Sequence, residues 1–561
     1  MAMTAYAFDS FLRYHDMTEW LQNITAEHPN LVSLSSYGTS YEGRQLWLTT
    51  ITDSSTGAAE HKPAHWVDAN IHAVEVTGGV AALHLIHHLV SGFVAGDVDV
   101  VEALRTRTFY VAPRVNPDGV EAALGDKPHF VRSSVRPWPW RDGHRWPGLL
   151  THEDIDGDGR VLTMRVRDEH GAWVEHPTDS RVMIPVDHAD APRGTQRYRV
   201  LSEGSIADYD GFTIPQPRNP RGLDMNRNFP AGWDPGTRGA GDHPMSEPEI
   251  DALVRAITAR PNICGYNAYH TSGGILLRPS STKADSSLPP EDLWVYNEIG
   301  RACTELSTYP VYSVYESFTW DKSHVMSGAA DDWVYDHLGL VGWTTEFWDA
   351  VAAATNERSS THIWYLGPTV EQELAVAKWS DTHAPGSYVQ WYSFDHPQLG
   401  AVELGGADMF RIWSNAPSSK LHDEVAPHSR FAVQQALKSP KLDILLADAK
   451  QLGDDTWLVR VGVANTGWLP TYITTHANKQ NLVLPLTVEI SGATVVGEGA
   501  RKQLGQLEGR VALRMNGGAM SDGTGDRALA TWTVTAKRGT TVNVIAEHPR
   551  AGRATASIAL S

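Results

Sequence analysis

The sequence predicts an α/β fold with a mixed, largely parallel sheet carrying helices on both faces, followed by a C-terminal β-sandwich. Two observations carry this. Short apolar runs alternate with helix-period segments through the first 400 or so residues, which is the pattern of strands joined by crossover helices. From about Leu442 the texture changes to short alternating runs separated by Gly and Asn turns, which is the pattern of antiparallel strands.

In order along the chain, residues 9–30 read as a helix, and Leu31–Tyr37 and Arg44–Ile51 as strands. His65–Ile71 is a third strand. Thr77 to Val90 (TGGVAALHLIHHLV) has helical periodicity, and Arg107–Pro113 is apolar enough for a buried strand. Lys127 to Gly222 is rich in Pro, Arg, Trp and Asp with weak periodicity, and reads as a long excursion from the core. Alternation resumes with helix Glu247–Arg260, strand Asn262–His270, helix Glu291–Ser307 and strand Leu340–Phe347. Gly400–Gly405 is a candidate last core strand. Ser414–Lys420 reads as a linker before a helical stretch near Asp423–Leu437. Trp457–Ala464, Leu482–Ile490, Ala528–Ala536 and Thr541–Ala546 are the strands of the sandwich, a region of about 120 residues. The expected organisation is an α/β domain over 1–415 with an insertion at about 133–222, a linker and helix over 416–440, and a β-sandwich over 441–561.

Composition narrows the function. The chain has 561 residues, 47 basic and 66 acidic, for a net charge of −19, so it repels phosphate backbones and is not expected to bind nucleic acid. No apolar run reaches the roughly 18 residues a spanning helix needs, and no membrane partner is expected. Met1–Asp9 has neither a basic nor an apolar leader region, so the cytoplasm is the default compartment; a trimmed leader from a secreted protein would leave the same sequence. Two cysteines, Cys264 and Cys303, exclude a disulfide scaffold and a cysteine-rich metal site. Trp outnumbers both Tyr and Phe, with 20 against 18 and 12, so large flat side chains are favoured somewhere in the fold.

The chemistry begins at a strand end. His72 and Glu75 lie three apart between the strand at His65 and the helix from Thr77, where open α/β sheets place their sites. A surface ion pair would look the same. His270 ends the apolar strand Asn262–Tyr269, and two His with one Glu and a fourth position open form a catalytic zinc set. Asn116-Pro-Asp-Gly119, Asp224-Met-Asn-Arg-Asn-Phe229, Ser327-Gly-Ala-Ala-Asp-Asp-Trp333 and Thr344-Thr-Glu-Phe347 complete the series.

In this order the motifs resemble the zinc carboxypeptidases of the A and B type over residues 10–410. The resemblance implies that His72, Glu75 and His270 hold zinc and that Asp224 orients the first histidine. It implies that Asn226 and Arg227 grip the substrate's terminal carboxylate and that Arg132 stabilises the oxyanion, with Arg136 as a rival. It makes Glu346 the general base toward a zinc-activated water, with Glu403 as the bland alternative. Asp331 falls at the position that sets side-chain preference, where an Asp implies basic C-terminal residues. Three departures stand out. Val74 replaces an arginine between the ligands. His324 stands where the family has a capping tyrosine, with Tyr312 or Tyr315 as substitutes. His72 and His270 lie 198 residues apart, beyond the family's usual spacing.

The insertion adds Asp154-Ile-Asp-Gly-Asp-Gly159, in which Asp154, Asp156 and Asp158 match the first half of a calcium loop. Arg165 stands at the twelfth position, where such a loop needs Glu, so a solvated acidic turn is the alternative. Trp138, Trp140, Trp146 and Trp173 form a local aromatic core or touch substrate. His84, His87 and His88 read as helix-face residues. The implied activity is hydrolysis of a peptide's C-terminal bond. A zinc amidohydrolase acting on an N-acyl amino acid, cell-wall peptide or modified small molecule is the alternative, and a non-catalytic binding protein is the third reading. The oligomeric state is left open.

Overall fold

The structure is a computed structural model that describes residues 6–138, 150–186, 194–214, 222–497, 499–515 and 523–561. Its centre is an eight-stranded mixed sheet. The strands are β1 (Val32–Thr39), β2 (Gln45–Ile51), β3 (Ala64–Ala69), β4 (Thr108–Ala112), β5 (Ile263–Thr271), β6 (Ile275–Arg278), β7 (Val311–Ser313) and β8 (Val341–Phe347). Their order is β1-β2-β4-β3-β5-β8-β6-β7. The central run β4-β3-β5-β8 is parallel, while β1–β2, β2–β4 and β6–β8 are antiparallel.

Both faces of this sheet are covered, so its inner strands are apolar on both sides. Helices α1 (Tyr14–Glu27), α2 (Val76–Ala95), α3 (Pro248–Thr258), α4 (Pro290–Ser307), α5 (Ala330–Asp336) and α6 (Ser418–Leu437) supply much of the cover. Val67, Ala69, Val111, Tyr269 and Phe347 pack with α1, α2 and α6 on one face. The alternate residues Trp66, Tyr110, Tyr266 and Ala268 pack with α3 and α5 on the other. Each fully buried Leu, Ile or Phe contributes roughly 1.5–3 kcal/mol, so the period-2 alternation is what fixes the strand register.

Three expectations need correction. Gly400–Ala407 is not a core strand; it joins Tyr388–His396 and the insertion's strands Thr163–Arg167, Tyr198–Ser202, Trp173–Glu175 and Met183–Pro185 in a separate antiparallel sheet. The Ser414–Lys420 linker is shorter than expected: the helix expected near Asp423–Leu437 begins at Ser418 as α6, whose Leu421, Val425, Ala432 and Val433 lie in the core beside α2. Helix α2 is itself long and apolar enough to cross a membrane, contrary to the sequence reading, but in this fold it is a mostly buried core helix.

The C-terminal region stacks two four-stranded antiparallel sheets. One holds Leu442–Gly453, Thr456–Asn465, Arg527–Thr535 and Thr494–Val496; the other holds Arg501–Gly505, Leu486–Ser491, Thr541–His548 and Gly552–Ala559. Trp457, Val459, Val461, Val488, Trp532 and Val544 fill the space between them.

His428 on α6 is buried between the rings of Tyr309 and Phe347, both at 4.6 Å, and neither ring nitrogen has a partner among the described residues. Burial pushes its pKa down to about 3. A neutral histidine of this kind stabilises the fold fully above its unfolded pKa of about 6.5, and that contribution is lost as pH falls toward 3. His428→Phe is therefore expected to flatten the fall in stability between pH 6.5 and 4, by up to about 1.4 kcal/mol per pH unit, and with it the fall in Tm. Thermal melts across that range check it; parallel Tm slopes in variant and wild type would contradict it.

Candidate active site

The candidate site lies at the C-terminal ends of β3, β5 and β8. After β3 the chain turns through Asn70, which adopts a left-handed conformation (φ 57°) and donates from Nδ2 to the Glu75 carbonyl at 2.6 Å. This turn brings His72 and Glu75 to the start of α2. One glycine lets the helix approach β5 this closely, and a second lets it pack on the Asn70 turn. A Cβ at Gly78 would lie 2.6 Å from the Tyr269 carbonyl oxygen, and one at Gly79 would lie 2.2 Å from Asn70 Oδ1. His270 is the penultimate residue of β5, next to Tyr269, so the Gly78–Tyr269 contact helps set the distance between the two histidines.

The three candidate ligands converge. His72 Nδ1 is 2.7 Å from Glu75 Oε1, His270 Nδ1 is 2.9 Å from Glu75 Oε2, and the two Nδ1 atoms are 3.1 Å apart. All three residues are buried. Two imidazole nitrogens facing each other across a carboxylate form a donor set that suits a divalent cation, and the two-His, one-Glu composition suits zinc. Asp224 accepts from His72 Nε2 at 3.0 Å, which leaves Nδ1 free to coordinate.

Arg132 ties the site together. It donates to Asp224 Oδ2 and to Glu75 Oε1, each at 3.1 Å. Burial alone would raise the Asp224 carboxyl, but Arg132 and His72 outweigh it and hold the group well below its usual range. Arg136, the rival, is bound to Glu247 at 2.7 Å and is not among the cleft's lining residues.

Glu346 is directly opposite His270 in the parallel β5–β8 register, so both side chains emerge on the same face of the sheet. Burial pushes its carboxyl up to about 8, against the pull of His270. Glu403, the alternative base, lies in the second sheet, paired with Arg165 at 2.7 Å and away from the cleft.

These groups line a cleft of about 850 Å³. Asn226 and Arg227 border it from the short helix after Asp224, whose carboxylate accepts from the Asn226 backbone at 2.9 Å. Asp331, on α5, is 3% exposed and also lines the cleft, with Leu277, Ser281 and Thr344 nearby. Burial raises its carboxyl above the ordinary value. Val74 lines the cleft too. His324 lies at the mouth, 85% exposed at its side chain and held by Asp321 at 2.8 Å. Tyr312 and Tyr315 are not among the lining residues; Trp320 and Tyr365 are, both more than half exposed, and no motif marked either of them.

The acidic loop is only partly assembled as a group. Asp154 and Asp156 come together with Glu203, which no spacing rule could have found, while Asp158 pairs instead with Arg160 at 2.8 Å. Asp154 accepts from the amides of Gly157 and Gly159, and Asp156 from Asp158 N and Tyr392 Oη. Arg165 is stacked between Tyr198 and Trp391. Trp173 and Trp138 are half-buried and do not line the cleft; Trp140 and Trp146 lie outside the described residues. His84 is buried on α2 and bonded to Ser429 Oγ at 2.7 Å, and His87 and His88 lie beside it, so these three are helix-face residues.

With this geometry established, relatives place the chain in a class. The zinc carboxypeptidase family profile matches residues 17–143 and 199–362, more than half of the sequence, and the chain belongs to that family. The unmatched interval falls inside the insertion. Residues 441–559 match a domain of unknown function, DUF8731. A zinc carboxypeptidase of Saccharothrix mutabilis subsp. capreolus is 37% identical over 112 residues, which is 19% of this chain and 25% of that protein. Carboxypeptidase A5 of Macaca fascicularis is 22% identical over 346 residues, 59% of each. The chain thus spans from a quarter to about three fifths of the length of these relatives. Among solved structures, thrombin activatable fibrinolysis inhibitor aligns at 16% identity with a TM-score of 0.44, covering 77% of this chain and 75% of that one. Carboxypeptidase A from Helicoverpa armigera aligns at 18% identity with a TM-score of 0.39, covering 68% and 76%.

Proposed function

We propose that the chain is a zinc-dependent metallocarboxypeptidase that removes single C-terminal residues from peptides, with a preference for Lys or Arg. The observation that carries this reading is the β5–β8 register, which sets the carboxylate of Glu346 beside the ligand His270 in a cleft that also holds Asn226 and Arg227.

His72, Glu75 and His270 would hold the metal. Zinc, when bound, supplies Lewis-acid polarisation of the scissile carbonyl and makes water a stronger acid. The chain's own groups do the rest. Arg227 and Asn226 offer a cation and a neutral amide to the terminal carboxylate and so fix which bond enters the site. Glu346 takes the proton of the attacking water and can deliver it to the leaving amine. Arg132 brings a positive charge beside Glu75, where negative charge develops on the carbonyl oxygen.

Asp331 supports the basic preference. A buried carboxylate is costly without a cation; Arg227 acts on Asp331 only from a distance and no Lys or Arg among the described residues forms an ion pair with it, so a basic substrate side chain would be its direct partner. Peptides ending in Lys or Arg are expected to be cleaved at least about tenfold more efficiently than matched ones ending in Phe or Leu, and Asp331→Ala is expected to erase the difference. Steady-state rates on the four peptides check this. Faster cleavage of Phe or Leu by the wild type, unaltered in the variant, contradicts it.

One observation favours a second reading. Val74 presents an apolar side chain where the family carries an arginine, which suits a short acyl group in place of a long peptide. A peptide-library digest read by mass spectrometry, with and without chelator, separates the two. Release of single C-terminal residues supports the peptidase. Release only from N-acyl amino acids supports the amidohydrolase.

A further inference from the structure

The seven-residue helix α5 joins the cleft to the C-terminal β-region. Its first turn belongs to the cleft. Ala330 donates its amide to Asn226 Oδ1 at 2.9 Å, Asp331 lines the pocket, and Asp332 accepts from the Ser281 amide at 2.8 Å. Its far end belongs to the β-region. A helix leaves its last carbonyls without intrahelical partners; here a C-terminal side chain takes the last of them, and others take carbonyls of the turn that follows, 337–340. His476 Nε2 donates to the Asp336 carbonyl at 2.9 Å, and Thr474 Oγ1 to the Gly339 carbonyl at 2.9 Å. Arg550 donates to the carbonyls of Leu338 and Gly339.

Packing reinforces these bonds. The His476 ring stacks on Tyr335 at 5.0 Å. Gly339 turns with φ 61° against Ala477, where a Cβ would lie 2.3 Å from the alanine's own. Helix α7 (Thr475–Lys479), which carries His476 and Ala477, is capped by Thr474, and Asp292 of α4 accepts from its first two amides, Thr475 at 2.6 Å and His476 at 3.0 Å. The same carboxylate accepts from Tyr335 Oη at 2.8 Å. A helix this short spans only about 10 Å and does not hold its shape alone in water. A displacement at the gripped end is therefore passed to Asp331 and to the bond that orients Asn226.

We infer that the C-terminal β-region, whose family has no known function, positions the substrate pocket: Thr474, His476 and Arg550 hold α5 so that Asp331 and Asn226 meet the substrate's C-terminal residue. This rests on the carboxypeptidase reading. Thr474, His476 and Arg550 are positioning residues and touch no substrate.

The test uses the full-length, zinc-loaded protein. The double variant Thr474→Val/His476→Ala cuts one bond to the end of α5 and one to the turn after it. Val544→Ala weakens the sandwich core away from α5 and serves as the matched destabilised control. His476→Gln, whose amide can still donate to Asp336, is the conservative rescue. The double variant is expected to keep its zinc and to raise KM for the preferred peptide about tenfold with kcat within about twofold, as displacement of a recognition group by a fraction of an ångström does. Its ratio of preferred to disfavoured C-terminal residues should shrink. Amide hydrogen exchange over residues 327–340 should quicken in the double variant, remain near normal in His476→Gln, and be unchanged in Val544→Ala. An unchanged KM and ratio in the double variant overturns the inference, as does an equal rise in KM in Val544→Ala. If the wild type releases no C-terminal residue, the carboxypeptidase reading fails, and exchange over 327–340 still decides whether the β-region holds α5: unaltered protection in the double variant overturns it.

Discussion

Glu346→Gln is expected to lower turnover at least about a hundredfold while leaving KM within a few-fold, the pattern left by loss of a general base. The amide keeps the size and much of the hydrogen bonding of the carboxylate but cannot accept a proton. The side chain sits opposite His270 on the neighbouring strand, so the substitution leaves the candidate ligands, Asn226, Arg227 and Asp331 in place. Single-turnover rates and substrate binding on the same preparation separate the two effects. A near-normal rate would remove Glu346 from the role, and Glu403 could not inherit it from its place in the second sheet beside Arg165.

His270→Ala is expected to abolish both metal and activity. Elemental analysis should give about one zinc per wild-type chain and less than about a tenth of that in the variant, because a three-residue set that loses one ligand loses most of its affinity. A metal that binds only the folded chain stabilises it by mass action, so chelation should lower the wild-type Tm and leave the variant's unchanged. Full zinc and full activity in the variant would remove His270 from the site.

Much of this architecture was legible because it repeats a simple period. The strands around His65, Phe109, Tyr269 and Trp343 are apolar on both faces, which only a covered sheet explains. The candidate ligands could be singled out because His72 and His270 both close apolar strands. What stayed hidden depends on side-chain packing across long separations. Gly400–Gly405 carries the same apolar signature as a core strand, and only its pairing with Thr163–Arg167 assigns it to another sheet. Ser414–Lys420 looked polar and linker-like, yet the helix read from Asp423 begins inside it at Ser418, and the buried Leu421 in its first turn is the one apolar mark of that earlier start. Glu203 joins Asp154 and Asp156 from some 50 residues away through backbone bonds to Ile155 and Leu162, and a linear motif has no means of representing that. The grip of Thr474, His476 and Arg550 on α5 likewise rests on carbonyl oxygens, which every residue has and no sequence pattern marks.

The pairing of α2 with α6 has a consequence for how the protein is made. Helix α2 has the length and hydropathy of a membrane span, and the helix that shields it lies far downstream in the chain. At translation rates of about 5–20 residues per second, the roughly 340 residues between their ends take on the order of 20–70 s to emerge. For that interval the nascent chain presents a greasy twenty-residue segment with the α6 part of its cover not yet synthesised. Until the second helix arrives, α1 and the early strands β3 and β4 are the parts of that cover already available to the segment.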